Sequence, residues 1–508
     1  MTSSEAPGKA GTREWIGLAV IALPCVIYSM DLMVLNLAVP QLSEELKPSA
    51  SQLLWIIDIY GFFVAGSLII MGNLGDRIGR RKLLMIGALA FGAASVFAAF
   101  STSAAMLIVA RAVLGVAGAT LAPSTLSLIR NMFHDPTERT TAIGIWVASY
   151  SVGGAVGPLF GGLLLEHFWW GSVFLVNVPI MILLLVLAPI LLPEFRDPAA
   201  TRLDIVSAAL SLLAVLAVIY GLKQVAEYGV GWRPLLSVLV GIVLAYVFAR
   251  RQRQLTDPLI DLTLFRRPAF SASLTVYMLG VLVAFGFFLF ISQYLQLVLG
   301  MGPLEAGLWT APSGLAFMLS SMLAPRFVRK LHPAYVMAGG LAVAAVACLL
   351  LSLVGSSYGL AVVMSGFVIL SLGLAPVFTL ATDFVVTSAP PERAGAAAAI
   401  SETSAEVGGA LGIALLGSIM TAIYRGAMSA AIPLDTPPDA AEAALGTLGG
   451  AVAVAKDLPA EIGATLLASA RLAFTGALAT TAVISAAIAA AAAVLAILML
   501  RRVEPVAH

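Results

Sequence analysis

The chain has 508 residues, of which 60% are apolar and only 11% charged, with a formal net charge of +1. Soluble domains carry roughly 25% charged residues, so the composition excludes a water-soluble globular protein, and the near-neutral balance excludes a broadly basic surface for nucleic acid. The two cysteines, Cys25 and Cys348, sit in separate apolar segments and read as buried packing rather than a disulfide or metal site.

From the N-terminus, residues 1 to 14 are polar and end in Arg13 and Glu14, with no cleavage-site pattern before an apolar segment too long for a signal peptide. At roughly 20 apolar residues per crossing, the sequence predicts an all-α membrane protein of fourteen spans. The first six cover 15–40, 53–72, 83–101, 105–127, 141–165 and 172–192; two more cover 205–223 and 234–249. The last six cover 269–298, 305–325, 334–354, 359–385, 395–424 and 470–500. Between the final pair, the alanine-rich pieces near 438–445 and 460–470 read as helices broken by Gly446, Gly449, Gly450 and Pro459. This segment suits either a lid or a plain surface excursion.

Of the 28 Lys and Arg, 21 fall on one side of this layout, six on the other, and Arg111 alone within a span. The positive-inside rule therefore puts the richer side, and both termini, in the cytoplasm.

Four carboxylates lie inside the spans: Asp31, Asp58, Glu402 and Glu406. A charge at mid-bilayer costs at least ~2.5 to 3.5 kcal/mol on insertion scales, and such residues usually mark function. At 1.5 Å per residue, Asp31 lies roughly 24 Å from the inner start of span 1. Asp58 and Arg111 lie about 8 and 9 Å below the outer starts of spans 2 and 4, so these three share a layer. Glu402 and Glu406, four residues apart, share one face of span 13. All four acids are candidates for proton coupling and substrate binding, with Asp58, Glu402 and Glu406 the ones expected to contact substrate and proton directly. For Asp31 and Asp58 a static ion pair or helix contact stays open. Asp383, near the inner end of span 12, reads as a helix-end or gate residue, and Arg111 as the partner and modulator of an acid or as a structural anchor.

An internal repeat organises the chain. Pro136-Thr137-Glu138-Arg139 precedes a span holding Gly153-Gly154-Ala155-Val156-Gly157; Pro390-Pro391-Glu392-Arg393 precedes one holding Gly408-Gly409-Ala410-Leu411-Gly412. Both copies enter from the same side, a parallel repeat of two halves. Gly153, Gly157 and Gly161 recur every four residues and give a smooth strip for close packing, while Pro158 removes a backbone donor and is a candidate kink. Asp76, Arg77 and Arg80 stand with Gly72 and Gly79 at the ends of two helices, where ion pairs can latch one packing arrangement.

On these residues the chain resembles the major facilitator superfamily. Gly72 to Lys82 is similar to its loop signature, and Asp31 to Pro40 to a motif of the fourteen-span drug:proton antiporters. Leu107 to Thr120 resembles the span 4 motif, and Gly153 to Gly162 the span 5 antiporter motif; within the family the chain looks most like the QacA-type exporters. The resemblance implies two six-helix bundles, 1–200 and 256–508, with an inserted helix pair at 201–255 and an extracellular excursion at 425–470. It also implies exchange of protons for lipophilic cations across a bacterial cytoplasmic membrane, by a monomer.

Tyr28, Trp55, Tyr60, Trp146, Tyr150 and Phe288 are candidate cation-lining aromatics. Span 10 departs from some relatives in having no interior acid, only Glu305 at its mouth, which favours monovalent substrates. No nucleophile motif, phosphate-binding loop or His cluster suggests an enzyme, and no cofactor or metal is expected. A dedicated exporter of one metabolite or antibiotic has the same signature, and a non-transporting sensor or scaffold is the reading from another class.

Overall fold

A computed structural model of the chain describes residues 9–46, 48, 50–196, 204–228, 231–255, 258–355, 359–390, 393–433 and 435–501. All regular structure among them is helical. The first group is α1 (Thr12–Leu46), α2 (Ala50–Ile78), α3 (Arg80–Ala99), α4 (Ala104–Gly118), α5 (Leu121–Met132), α6 (Pro136–His167), α7 (Ser172–Leu175) and α8 (Asn177–Leu191). A helical hairpin follows, α9 (Ile205–Tyr228) and α10 (Trp232–Gln252). The second group is α11 (Pro268–Gln293), α12 (Pro303–Val328), α13 (Pro333–Leu351), α14 (Gly359–Ser388), α15 (Ala394–Ala431), α16 (Pro438–Gly446), α17 (Leu448–Ala455) and α18 (Ala460–Leu500).

Twelve helical stretches among the described residues are long and apolar enough to cross a membrane, with α4 and α5 counting as one. Two other long helices, α6 with 32 residues and α12 with 26, pack within the bundle. In α12 the apolarity is diluted by Thr310, Pro312, Ser313, Ser320 and Ser321; in α6 several side chains lie outside the described residues, and Ser149, Gly153, Gly154 and Gly157 are among those described. Such small and hydroxylated residues belong at helix–helix seams, where backbones approach closely.

The repeat in sequence is a repeat in packing. A methyl group on Gly153 would strike the Val26 carbonyl and come within 2.6 Å of Ser29 Oγ; one on Gly157 would meet Met30 at 3.2 Å. The glycine strip thus seats α6 on α1, and Gly161 on the same helix is buried. In the second half, a methyl on Gly408 would lie 2.8 Å from the Met278 carbonyl and one on Gly412 would strike Leu282, seating α15 on α11. Helix α6 runs unbroken through Pro158, whose side chain lies outside the described residues.

The two groups meet chiefly along two seams, α6 against α12 and α2 against α15, and α5 also packs on α15 and α14 on α6. Helix α9 packs on both α2 and α15, so the inserted hairpin borders the second seam. The segment after α10 is tied underneath. Gln252 accepts from Leu259 N at 2.7 Å, and Asn73 of α2 donates to the Leu259 carbonyl at 2.6 Å. Asp204 holds Arg251 by two hydrogen bonds of 2.8 and 3.1 Å, and that guanidinium, helped by Ser207, draws the carboxyl down to about 2.

At the other end, α15 and α18 span 38 and 41 residues, about 57 and 62 Å at 1.5 Å per residue, well beyond a bilayer core. Both alanine-rich ends of 425–470 therefore continue long helices. Between them α16 and α17 fold back, with Ala444, Leu448 and Ala451 buried and Tyr424 donating to the Ala444 carbonyl at 2.8 Å.

Candidate functional site

Arg111 of α4 is fully buried and donates to Asp31 of α1 at 2.5 Å. Its Nε donates to the Ile56 carbonyl at 3.2 Å, and the guanidinium lies 4.7 Å from the Tyr60 ring centre. Asn177, the first residue of α8, donates to Asp31 at 3.4 Å and to Ser95 of α3 at 3.1 Å. One ion pair thereby ties five helices. An isolated buried charge is prohibitive, and a paired, hydrogen-bonded one is tolerated. Asp58 stands two residues, about half a helical turn, from both Ile56 and Tyr60 on α2, and its side chain lies outside the described residues.

Glu402 and Glu406 sit partly buried on α15, the helix of the second group that packs on α2 and α5. The Tyr28 hydroxyl donates to Glu406 Oε1 at 3.2 Å, a bond from the first half to the second. Glu402 Oε1 is buried and has no hydrogen-bond partner among the described residues. Around them Tyr28 packs on Tyr60 at 5.8 Å and on Tyr150 at 5.7 Å, and Tyr150 packs on Trp146 at 5.0 Å. Trp146 is anchored by Thr125 at 2.9 Å. Tyr277 of α11 lies within electrostatic reach of both acids.

Four of the six candidate aromatics therefore form one wall. The other two stand apart from it: Trp55 packs on Phe62 at 6.2 Å and Phe288 on Phe367 at 6.4 Å, each about two-fifths exposed or more. Two grooves, about 430 Å³ along Arg81, Lys82, Leu185 and Glu194 and about 390 Å³ along Phe63, Leu83 and Val116, also lie away from the acids.

The latch residues gather at the arginine-rich end. Gly79 has φ +111°, and a methyl there would come 2.6 Å from Glu194, so only glycine makes this sharp break between α2 and α3. Glu194 accepts from the backbone N–H groups of Arg81 and Lys82 at 3.1 Å and so caps α3. Buried Arg80 pairs with Asp76 and donates to the Gly72 carbonyl at 2.8 Å. Asp76 accepts from Ala396 N at 3.2 Å, where α15 begins in the other half. A methyl on Gly72 would meet Ala399 at 2.6 Å, and one on Gly395 would strike the Arg80 guanidinium. Arg77 occupies the last turn of α2.

Asp383 belongs to the same closure. It accepts from Arg139 at 3.2 Å and from Thr140 at 3.0 Å, both on α6. Arg130 of α5 donates to the Val386 carbonyl. The sequence does not single out Arg130, Arg139, Thr140, Asn177, Glu194, Tyr277 or Gly395. Arg139 alone leaves a trace, as the last residue of the repeated Pro-Thr-Glu-Arg tetrad.

A bundle of apolar helices whose two repeated halves meet around buried charges has the architecture of a membrane transporter. The chain belongs to the Major Facilitator Superfamily, whose sequence profile matches residues 21–413. It is 44% identical to the multidrug efflux pump LfrA of Mycolicibacterium smegmatis, over 94% of each chain. It is 36% identical to the methyl viologen resistance protein SmvA of Salmonella typhimurium, over 91% of this chain and 93% of that one. The tetracenomycin C resistance and export protein of Streptomyces glaucescens is 33% identical, over 89% of this chain and 83% of its own length. Among solved structures, the human organic anion transporter MFSD10 (TETRAN) matches with TM-score 0.60 at 15% identity, over 96% of this chain and 100% of that one, and supports the fold alone.

Proposed function

We propose that the protein is a proton-coupled antiporter that exports lipophilic organic cations, with protons and substrate competing for Glu402 and Glu406. The carrying observation is the placement of these acids: on one helix of the second half, against tyrosines and a tryptophan of the first. Carboxylates supply the charge, aromatic faces attract organic cations, and the Tyr28–Glu406 bond spans the two parts that must move. The efflux relatives support the direction of transport.

In this reading α6 and α12 also cross the bilayer, giving the fourteen spans of the QacA-type exporters. The arginine-rich end is cytoplasmic, both termini with it, and the membrane is the bacterial inner membrane. The contacts of Asp76, Arg130 and Asp383 across the halves make the structure closed toward the cytoplasm, so Glu402 and Glu406 exchange protons with the outside. The chain works as a monomer. A dedicated exporter of one compound is the second reading, favoured by the single-compound name of the tetracenomycin C relative.

The test uses inverted vesicles with an imposed pH gradient and a pH-sensitive dye. Addition of monovalent quaternary ammonium compounds and of methyl viologen is expected to dequench the dye. No substrate-dependent proton movement across the panel would refute the antiport reading. Movement with one compound only would favour the dedicated exporter.

A further inference from the structure

The inserted hairpin carries a charge to the acid site. In sequence Lys223 reads as a loop residue at the end of an apolar run, but α9 continues to Tyr228 and holds Lys223 within the helix. Its ammonium lies 4.8 Å from the centre of the Phe62 ring on α2. Phe62, Ala65 and Ile219 are buried together, with Val215, Leu216, Val407 and Ala410 packed against them, so α2, α9 and α15 form one apolar contact. The fit is close: a methyl on Gly66 of α2 would strike Leu212 and come within 3.2 Å of Leu216. Val407 and Ala410 follow Glu406 by one and four residues on α15, and Glu406 is within electrostatic reach of Lys223. Among the described residues, Glu406 also accepts from Tyr28 and lies within electrostatic reach of Tyr60, Tyr277 and, on its own helix, Glu402.

We propose that Lys223 is a tethered cation of the acid site, a positioning residue of the inserted hairpin that acts through Glu406 and sets how much substrate charge the site accepts. The inference rests on the antiport reading above. A fixed positive charge near Glu406 repels an incoming cation in proportion to the charge it carries, so it penalises a dication about twice as strongly, in free energy, as a monocation. It also gives the hairpin a function in a fold whose two halves already form a transport path. The missing acid in α12 and the added base in α9 then act in the same direction, toward monovalent substrates.

The experiment compares the full-length protein and Lys223 variants in the same inverted vesicles at one fixed pH, with tetraphenylphosphonium and methyl viologen as monovalent and divalent probes. For Lys223→Gln, the half-saturating concentration is expected to fall about fivefold for tetraphenylphosphonium and about 25-fold for methyl viologen, the square relation that charge repulsion requires. Lys223→Arg is expected to keep both values near wild type. Equal changes for the two probes, or none, would overturn the proposal, because a packing role has no reason to separate them. Should Lys223→Gln fail to accumulate, Lys223→Cys reacted with a cationic or a neutral thiol reagent supplies the comparison, and only the cationic adduct should restore the wild-type ratio. If wild-type vesicles respond to neither probe, the antiport reading itself fails; if they respond and the ratio is fixed, only the role of Lys223 does.

Discussion

Asp31 and Arg111 illustrate how one pair of residues can be structural and still sit beside the chemistry. Their ion pair is dry, stacked on Tyr60 and tied to Asn177, and Tyr60 in turn packs on Tyr28. Removing one partner of such a pair leaves an uncompensated charge, at a cost of about 3 to 5 kcal/mol. Arg111→Ala should therefore lower thermal stability in detergent sharply, while Arg111→Lys keeps the charge, loses the second hydrogen bond and falls between; equal stability of all three would show that the pair does not hold the helices. Glu406 behaves differently in this account. Tyr28→Phe removes one hydrogen bond, worth about 0.5 to 1.5 kcal/mol net, and should weaken substrate affinity several-fold without abolishing exchange, whereas Glu406→Gln should abolish it. Exchange kinetics for the two variants separate these outcomes, and an active Glu406→Gln would remove that residue from coupling. The sequence makes the four acids within its spans and Arg111 visible because charge is rare in apolar spans. Asn177 and Tyr277 are hidden because an amide or a phenol at a helix end or face carries no such signal until its neighbours are known.

Among the elements, glycines decide where helices touch. The strips on α6 and α15 are readable from four-residue spacing, and the structure gives each the same task, seating its helix on the first helix of its half. Gly395 is not readable, since its need arises from Arg80, more than 300 residues away in sequence. Gly395→Ala should force the guanidinium aside, an overpacking cost of about 1 to 3 kcal/mol, and should prop open the arginine-rich end. Cysteine accessibility at that end should rise in this variant; unchanged labelling would mean that Arg80 and Gly395 do not meet when the protein is in a membrane. The tie beneath the hairpin has its own pH signature. Asp204 is drawn down to about 2 by Arg251, against an unperturbed carboxyl near 3.9, so its contribution is complete above the higher value and is lost as pH falls through the lower one. Asp204→Asn should loosen the α9–α10 ends throughout the neutral range, seen as faster hydrogen exchange there, and the variant should no longer show the acid-side change.

For the whole molecule, composition alone separates membrane from water, and the repeat of Pro-x-Glu-Arg and glycine clusters divides the chain into halves. Hydropathy is less complete for α12, a long helix in the bundle whose serines, glycines and prolines keep it outside the set apolar enough to cross a membrane. What no linear pattern conveys is which charges meet across the halves. Arg139 and Asp383 are 244 residues apart, and in sequence Arg139 is visible only as the last residue of a repeated tetrad, with no sign of its partner. The central claim is that protons and organic cations compete for the acids of α15. Its most direct test is the proton released when a cation binds to the purified full-length protein in weakly buffered solution, measured for wild type and for Glu402→Gln combined with Glu406→Gln. The account predicts release on adding tetraphenylphosphonium to the wild type and none from the double variant. Equal release from both would contradict it.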